Sequence, residues 1–327
     1  MKFRLVATAF STASKLALCF APEAGAQNFP TRPVRVIVPS PPGGGPDTIA
    51  RLMSPPMAHA LGQAVVIENR PGGNGVAAML ELINSPADGY TTALPDSSHW
   101  AIFPQIQKEV PYDFLRDTAP IGLIFVGPQY VTVLASHPAK DLRELIAMAR
   151  AKPGSMRYGT AGFGGVVHLW GETFKSKLGL DVAYVPYKGS GQLMEAILRG
   201  EIDYGMPGYT NIKGYVESGK LRVLASGWGR RFPATPDVPT VAEAAGLPGF
   251  DFAGVLGMIG RAGTPRPVID RLSAALNKSL ADPELLKRAL GFGLEITPST
   301  PEQYDALVRA DIRKFGEAIK AANIPPQ

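Results

Sequence analysis

One cysteine, Cys19, stands among 327 residues, and it falls in an N-terminal stretch with the features of an export signal. A disulfide scaffold is therefore excluded, and removal of that stretch would exclude thiol chemistry as well. Histidine is almost as scarce. His59, His99, His137 and His168 share no metal-ligand spacing, so the sequence implies neither a metal nor a cofactor. No run of like charge occurs: the net charge is +5, and the basic residues are scattered rather than grouped with aromatics, which gives no basis for a nucleic-acid surface. Long apolar runs are missing too. The best candidate, residues 121–134, is interrupted by Gly127-Pro128-Gln129, whereas a bilayer span needs about 20 apolar residues. Catalytic signatures are absent: no Gly-x-Ser-x-Gly elbow surrounds any serine, and no phosphate loop ends in Gly-Lys-Ser/Thr. Gly162-Phe163-Gly164-Gly165 opens like a dinucleotide fingerprint, but Val167 stands where the last glycine belongs. Binding without chemistry is the reading these absences leave.

Residues 1–26 supply a positive end (Lys2, Arg4), an apolar stretch over 16–21 preceded by Lys15, and the small residues Ala24-Gly25-Ala26. That order matches a secretory signal cleaved after Ala26, which sends the protein to the periplasm. Cleavage removes three basic residues and one acidic residue, lowering the net charge from +5 to +3. The remaining length suits two lobes, on a prior of about 150 residues each.

What is present is an alternation of strand-like and helix-like segments. Strands are expected over 34–38, 64–69, 91–94, 121–126, 131–135, 156–160, 182–185, 202–206, 221–225 and 252–259. Helices are expected over 142–151, 168–178, 192–199 and 267–281, with two more beginning after Asp282 and Thr300. Alternation of this kind indicates an α/β doubly wound architecture. A helix over 47–60 would contain Pro55-Pro56, which predicts a break with Ser54 capping a second segment. Four loops follow expected strands, over 41–47, 96–100, 160–168 and 186–191. Open α/β sheets bind ligands at such strand ends. A glycine-rich turn from strand into helix exposes unpaired amide groups that favour a small anion.

At these residues the chain resembles a known family. Val36-Ile37-Val38-Pro39-x-Pro41-Pro42-Gly43-Gly44, Glu68-Asn69-Arg70-Pro71-Gly72, Pro86-Ala87-Asp88-Gly89-Tyr90, Val185-Pro186-Tyr187-Lys188-Gly189 and Asp237-Val238-Pro239-Thr240-Val241-Ala242-Glu243 together are similar to the Bug-type extracytoplasmic solute receptors of tripartite tricarboxylate transporters. The resemblance implies a two-lobed periplasmic binding protein of type II topology, each lobe a mixed sheet flanked by helices. Residues 27–127 and 250–327 would form lobe 1, and residues 128–249 lobe 2. It also implies a carboxylate held between the lobes for delivery to membrane subunits, with one chain sufficing as a monomer. Carried over, Pro42, Gly43, Gly44 and Asp47 line one wall. Ala161, Gly162, Gly164, Gly165 and His168 line the other, with Tyr187 and Lys188 nearby, and Ser97 and Ser98 belong to the loop after the third strand.

Several assignments stay open at this level. Asp47 is a ligand contact or a helix N-cap, and Lys188 a direct partner or a rim charge. Trp100, Phe103, Phe163 and Tyr209 either form an aromatic wall suited to an aromatic carboxylate or sit partly in the core. A periplasmic sensor that presents its closed form to a signalling partner would use the same cleft. An exported hydrolase would need Ser97 or Ser98 paired with His99 or His168.

Overall fold

The computed structural model describes residues 29–324, and the export-signal reading of residues 1–26 lies outside them. Four strands begin the first lobe: β1 (Val34–Val38), β2 (Val65–Asn69), β3 (Thr91–Ala93) and β4 (Thr118–Gly127). Between them lie α1 (Gly45–Leu61), α2 (Val76–Ile83), a π-helical turn over Ser98–Ile102 that runs into α3 (Phe103–Ile106), and α4 (Phe114–Asp117). The chain then crosses to a second sheet. This holds β5 (Tyr130–Leu134), β6 (Arg157–Thr160), β7 (Ala183–Pro186), β8 (Tyr204–Gly205) and β9 (Leu221–Ser226). Its helices are α5 (Leu142–Ala151), α6 (Val166–Leu178), α7 (Ser190–Arg199), α8 (Tyr209–Glu217) and α9 (Val241–Ala245). The chain returns through β10 (Gly254–Arg261), α10 (Arg266–Leu280), α11 (Pro283–Gly291), β11 (Glu295–Ile296) and α12 (Pro301–Ala321).

The first sheet has the order β11-β4-β10-β3-β1-β2 and the second β7-β6-β8-β5-β9. Each is mixed: β2, β1 and β3 run parallel, as do β7, β6 and β8, while β10 and β5 pair antiparallel with their neighbours. Strand β1 buries apolar side chains on both faces, as suits a central parallel strand, with Arg35 near its start ion-paired to Glu68 and Glu81. Val34, Val36 and Val38 pack toward α1 and α10, whereas Ile37 joins the core on the opposite face. The return crossover packs Phe250 against Trp170 and Phe174 of α6, and Phe252 against Phe315 of α12, so an aromatic seam joins the lobes where the chain passes between them.

The expected break at Pro55-Pro56 does not occur. Helix α1 runs unbroken through both prolines, and the Ser54 hydroxyl donates to Val65 O at 2.8 Å instead of capping. An interior proline costs about 3 kcal/mol, but Ile49, Ala50, Met53, Met57 and Leu61 are all buried along one face of α1. Breaking the helix would expose that stripe, and packing outweighs local preference.

Helix α12 carries a titrating group into the interior. The Trp100 indole N–H donates to Asp311 at 3.2 Å, and burial pushes the Asp311 carboxyl up to about 6. A carboxyl raised above its unfolded value of about 3.9 stabilises the fold most in acid, and that contribution is lost as pH rises from about 4 through about 6. Asp311→Asn keeps an acceptor for the indole but carries no charge. It is expected to raise the melting temperature at pH 7.5 and not at pH 4. Equal shifts at both pH values would contradict the assignment.

Candidate functional site

Every α-helix that directly follows a parallel strand begins without a side-chain cap. Gly44, Gly75, Gly165, Gly189 and Gly208 are the N-caps of α1, α2, α6, α7 and α8, whereas the first amide of the π-helical turn after β3, Ser98 N, donates to the Asp96 side chain. Helices that begin elsewhere are capped by side chains: Asp113 for α4, Asp141 for α5, Thr240 for α9, Asp282 for α11 and Thr300 for α12. Helix α10, opening after Pro265, is uncapped but lies away from these strand ends. Uncapped N-termini carry unpaired N–H groups and the positive end of the helix dipole, which together favour an anion.

The first wall is built on the turn after β1. Gly43 takes φ +86°, a left-handed conformation that favours glycine. Its amide donates to Asp47 Oδ2 at 2.9 Å, and Arg51 Nε donates to the same carboxylate. Arg51 also reaches Asn69 Oδ1, and Asn69 donates to Ser40 O, so the loop is tied to β2. Burial pushes the Asp47 carboxyl up, but Arg51 and the Gly43 amide more than offset this and hold it below the usual range. Asp47 is thus neither N-cap nor free contact. It is the third residue of α1, and its carboxylate is spent on shaping the loop. Pro42 and Gly43 are exposed, and among the described residues the Gly44 and Gly45 amides have no acceptor.

The second wall is the turn after β6. Thr160 Oγ1 and Tyr184 OH both donate to Gly162 O, at 2.7 and 2.8 Å, while Gly162 and Gly164 take φ +121° and +78°. The Gly164 amide donates to His168 Nδ1 at 3.3 Å, which leaves the ring proton on Nε2. Burial pushes His168 down to about 4, so it is neutral at pH 7. Its ring packs at a tilt against both Phe163 and Tyr184, at centroid distances of 4.5 and 4.3 Å. Ala161 is exposed, and the Phe163 and Gly165 amides have no acceptor among the described residues. Tyr187 is half-buried over Gly159; Lys188 is exposed, with its amide donating to Gln192.

Besides the aromatic seam at the return crossover, two further seams join the lobes beside these loops. In one, the Val166 amide donates to Ser98 Oγ at 3.3 Å, and Gly164 lies against Phe103 and Ile106. In the other, Thr210 Oγ1 donates to Phe292 O at 2.6 Å and Lys213 Nζ to Gly291 O at 3.1 Å, so α8 satisfies the last carbonyls of α11. Gly45 lies beside Leu294 near the second seam and Gly165 beside Ser98 in the first, which places the amide-bearing loops at the gap between the lobes.

The four-ring wall does not form. Trp100 is 1% exposed, packed against Phe114 and Tyr304, because the π-helical turn rotates it into the lobe interior. Phe103 stands edge-on to His99 in the first seam and Tyr209 packs on Tyr130 in the second, so Phe163 alone remains at a cleft loop. Ser97 is also turned inward, accepting from Val255 N at 3.2 Å and anchoring the β3 loop to β10. No serine hydroxyl bonds a histidine among the described residues, and the pairing a hydrolase would need is not made. Among the described residues no cluster of three or more His, Cys, Asp or Glu is placed to hold a metal, and no helix is long and apolar enough to cross a membrane. Surface grooves between α5 and α9 lie on the outer face of the second lobe, where Arg231 pairs with Glu243 and Arg143 donates to Ala244 O.

Sequence reasoning included Asp96 in the loop over 96–100 but not among the expected site residues. Its backbone bridges Leu256 of β10, and its Oδ1 accepts from Ser98 N at 2.8 Å and lies 3.0 Å from His99 Nδ1. The only signal available was an acid at the carboxyl end of a parallel strand.

A family model described as tripartite tricarboxylate transporter family receptor matches residues 49–324. BugT of Bordetella pertussis is 30% identical over 296 residues, covering 90% of this chain and 90% of its own. The R. palustris protein Rpa4515 with adipate matches with a TM-score of 0.85 at 30% identity, over 91% of this chain and 100% of its own. MatC from Rhodopseudomonas palustris with bound malate matches with a TM-score of 0.80 at 29% identity, over 89% of this chain and 100% of its own. With a family model spanning most of its length and relatives matched nearly end to end, the chain belongs to the receptor family of tripartite tricarboxylate transporters.

Proposed function

We propose that this chain captures an organic carboxylate between its lobes and hands it to the membrane subunits of a tripartite transporter. The observation that carries this reading is the set of uncapped, glycine-started helices after the parallel strands of both sheets, against side-chain caps on five other helices. An anion supplies the acceptors that those helix ends lack. Two similar proteins were solved with adipate and malate, both dicarboxylates, which supports the same ligand class.

In this reading Gly44 and Gly45 donate from one lobe and Phe163 and Gly165 from the other, with the neutral His168 Nε2–H and the Ser98 hydroxyl as further donors. Asp47 and Tyr184 position the two loops. The lobes divide at 127/128 and 249/250, a single chain supplies both walls, and the receptor works as a periplasmic monomer after cleavage near Ala26. Binding shifts the population toward closure because contacts to both lobes exist only there. No bond is made or broken.

A thermal-shift screen of the purified protein against aliphatic and aromatic carboxylates tests this. A ligand at about 100 times its Kd stabilises the folded state by about 2.7 kcal/mol. At least one carboxylate is expected to raise the melting temperature in proportion to the logarithm of its concentration. A flat response across the panel, with co-purified ligand first removed by unfolding and refolding, would contradict the reading.

A further inference from the structure

Helix α11 ends on two carbonyls that its own lobe leaves unpaired. The Gly293 and Leu294 amides turn back to Leu290 O and Ala289 O, but no main-chain amide among the described residues donates to Gly291 O or Phe292 O. Those two acceptors are filled from the opposite lobe, where Lys213 Nζ donates to Gly291 O and Thr210 Oγ1 to Phe292 O. Both side chains are half-buried, and the Lys213 ammonium takes a main-chain carbonyl as its partner. A cation at a helix C-terminus meets the negative end of the dipole as well as an acceptor.

The fit around these bonds is close. Gly293 takes φ +76°, and a Cβ there would come within 2.5 Å of Tyr209, the first residue of α8. Arg230 of the second lobe pairs with Glu295, two residues further along. Leu294, between them, lies against Gly45, whose amide is one of the proposed donors. The turn from α11 to β11 thus touches α8 on one side and the cleft loop of its own lobe on the other.

Contacts between lobes exist only when the lobes meet, so they favour the closed form whether or not a ligand is bound. Where the competent form is a minor state of the free protein, affinity falls in proportion to its population. We propose that Thr210 and Lys213 set ligand affinity without touching the ligand, as a latch from α8 onto the end of α11 that holds the lobes shut. This inference rests on capture between the lobes and adds to it the pair that governs how firmly they close.

A Thr210→Val, Lys213→Met double variant tests it, because valine and methionine keep the side-chain shapes and remove both donors. Calorimetric titration uses adipate, malate and the acid giving the largest thermal shift, and small-angle scattering follows compaction without acid and at a fixed sub-saturating concentration. Loss of the two bonds is expected to weaken binding about tenfold and to leave the protein less compact at that concentration. Thr210→Ser with Lys213→Arg restores both donors and is expected to bind as the unaltered protein does. Unchanged affinity in the double variant, or a loss that the donor-restoring pair does not reverse, would overturn the latch and leave the carboxylate receptor standing. If no acid binds either protein, the carboxylate reading falls and scattering without acid decides the latch: a looser double variant sustains it, and equal compaction overturns it.

Discussion

A leucine at Gly164 is expected to weaken ligand binding about a hundredfold while each lobe stays folded. Gly164 takes φ +78°, and a Cβ there would overlap Ile106 and come within 3.5 Å of Phe103, both from the opposite lobe. The left-handed conformation costs leucine about 1 kcal/mol whether the lobes are together or apart. Steric overlap is different, because it exists only when the lobes meet. Overpacking of a tight contact costs about 1–3 kcal/mol, and a hundredfold loss corresponds to about 2.7 kcal/mol. Titration calorimetry gives the affinity, and small-angle scattering with and without ligand reports closure. Unaltered affinity together with unaltered compaction would show that the seam does not gate binding.

Trp100→Ala is expected to destabilise the protein by about 3–5 kcal/mol, the range for removing a large buried aromatic side chain. The ring packs at 5.7 Å from both Phe114 and Tyr304 and its N–H satisfies Asp311, so truncation opens a cavity and leaves a carboxyl without its donor. Urea unfolding measures the loss. Trp100→Phe keeps most of the apolar volume and loses the indole donor, with an expected cost of about 1–2 kcal/mol. The affinity of the folded Trp100→Phe protein should match that of the original. A large drop in affinity at unchanged stability would return this residue to the cleft wall.

The two faces of Trp100 show where sequence reading stops. Loops 41–47 and 160–168 were legible because glycine and proline punctuate short β-branched runs, and an anion-seeking turn needs that chemistry. The direction of a side chain in a turn is a different matter. Ser98–Ile102 forms a π-helical turn, which no short-range pattern announces, and that turn buries Trp100 and leaves Ser98 at the seam. Pro55-Pro56 misled for a related reason: local preference argued for a break, while Met53 and Met57 were committed to the core across the same turns. Asp47 was read as a cap or a contact because sequence gives the acid but not its partner, and Arg51 one helical turn later decides its role. Helix α8 went unread because Gly208 opens it, Gly214 lies inside it and the segment has little apolar periodicity; its contacts with α11 across the gap, made by Thr210 and Lys213, are set by tertiary structure. Two-residue strands such as β11 carry too few side chains to show any period.

The proposed cradle is a set of main-chain amides from both lobes that holds the ligand carboxylate. The direct measurement is an amide nitrogen–proton correlation spectrum of the isotope-labelled protein, titrated with the carboxylate that gives the largest thermal shift. Gly44 and Gly45 on one lobe, and Phe163 and Gly165 on the other, are expected to shift downfield together and to saturate at one concentration. Saturable binding that leaves all four resonances in place would contradict the amide cradle.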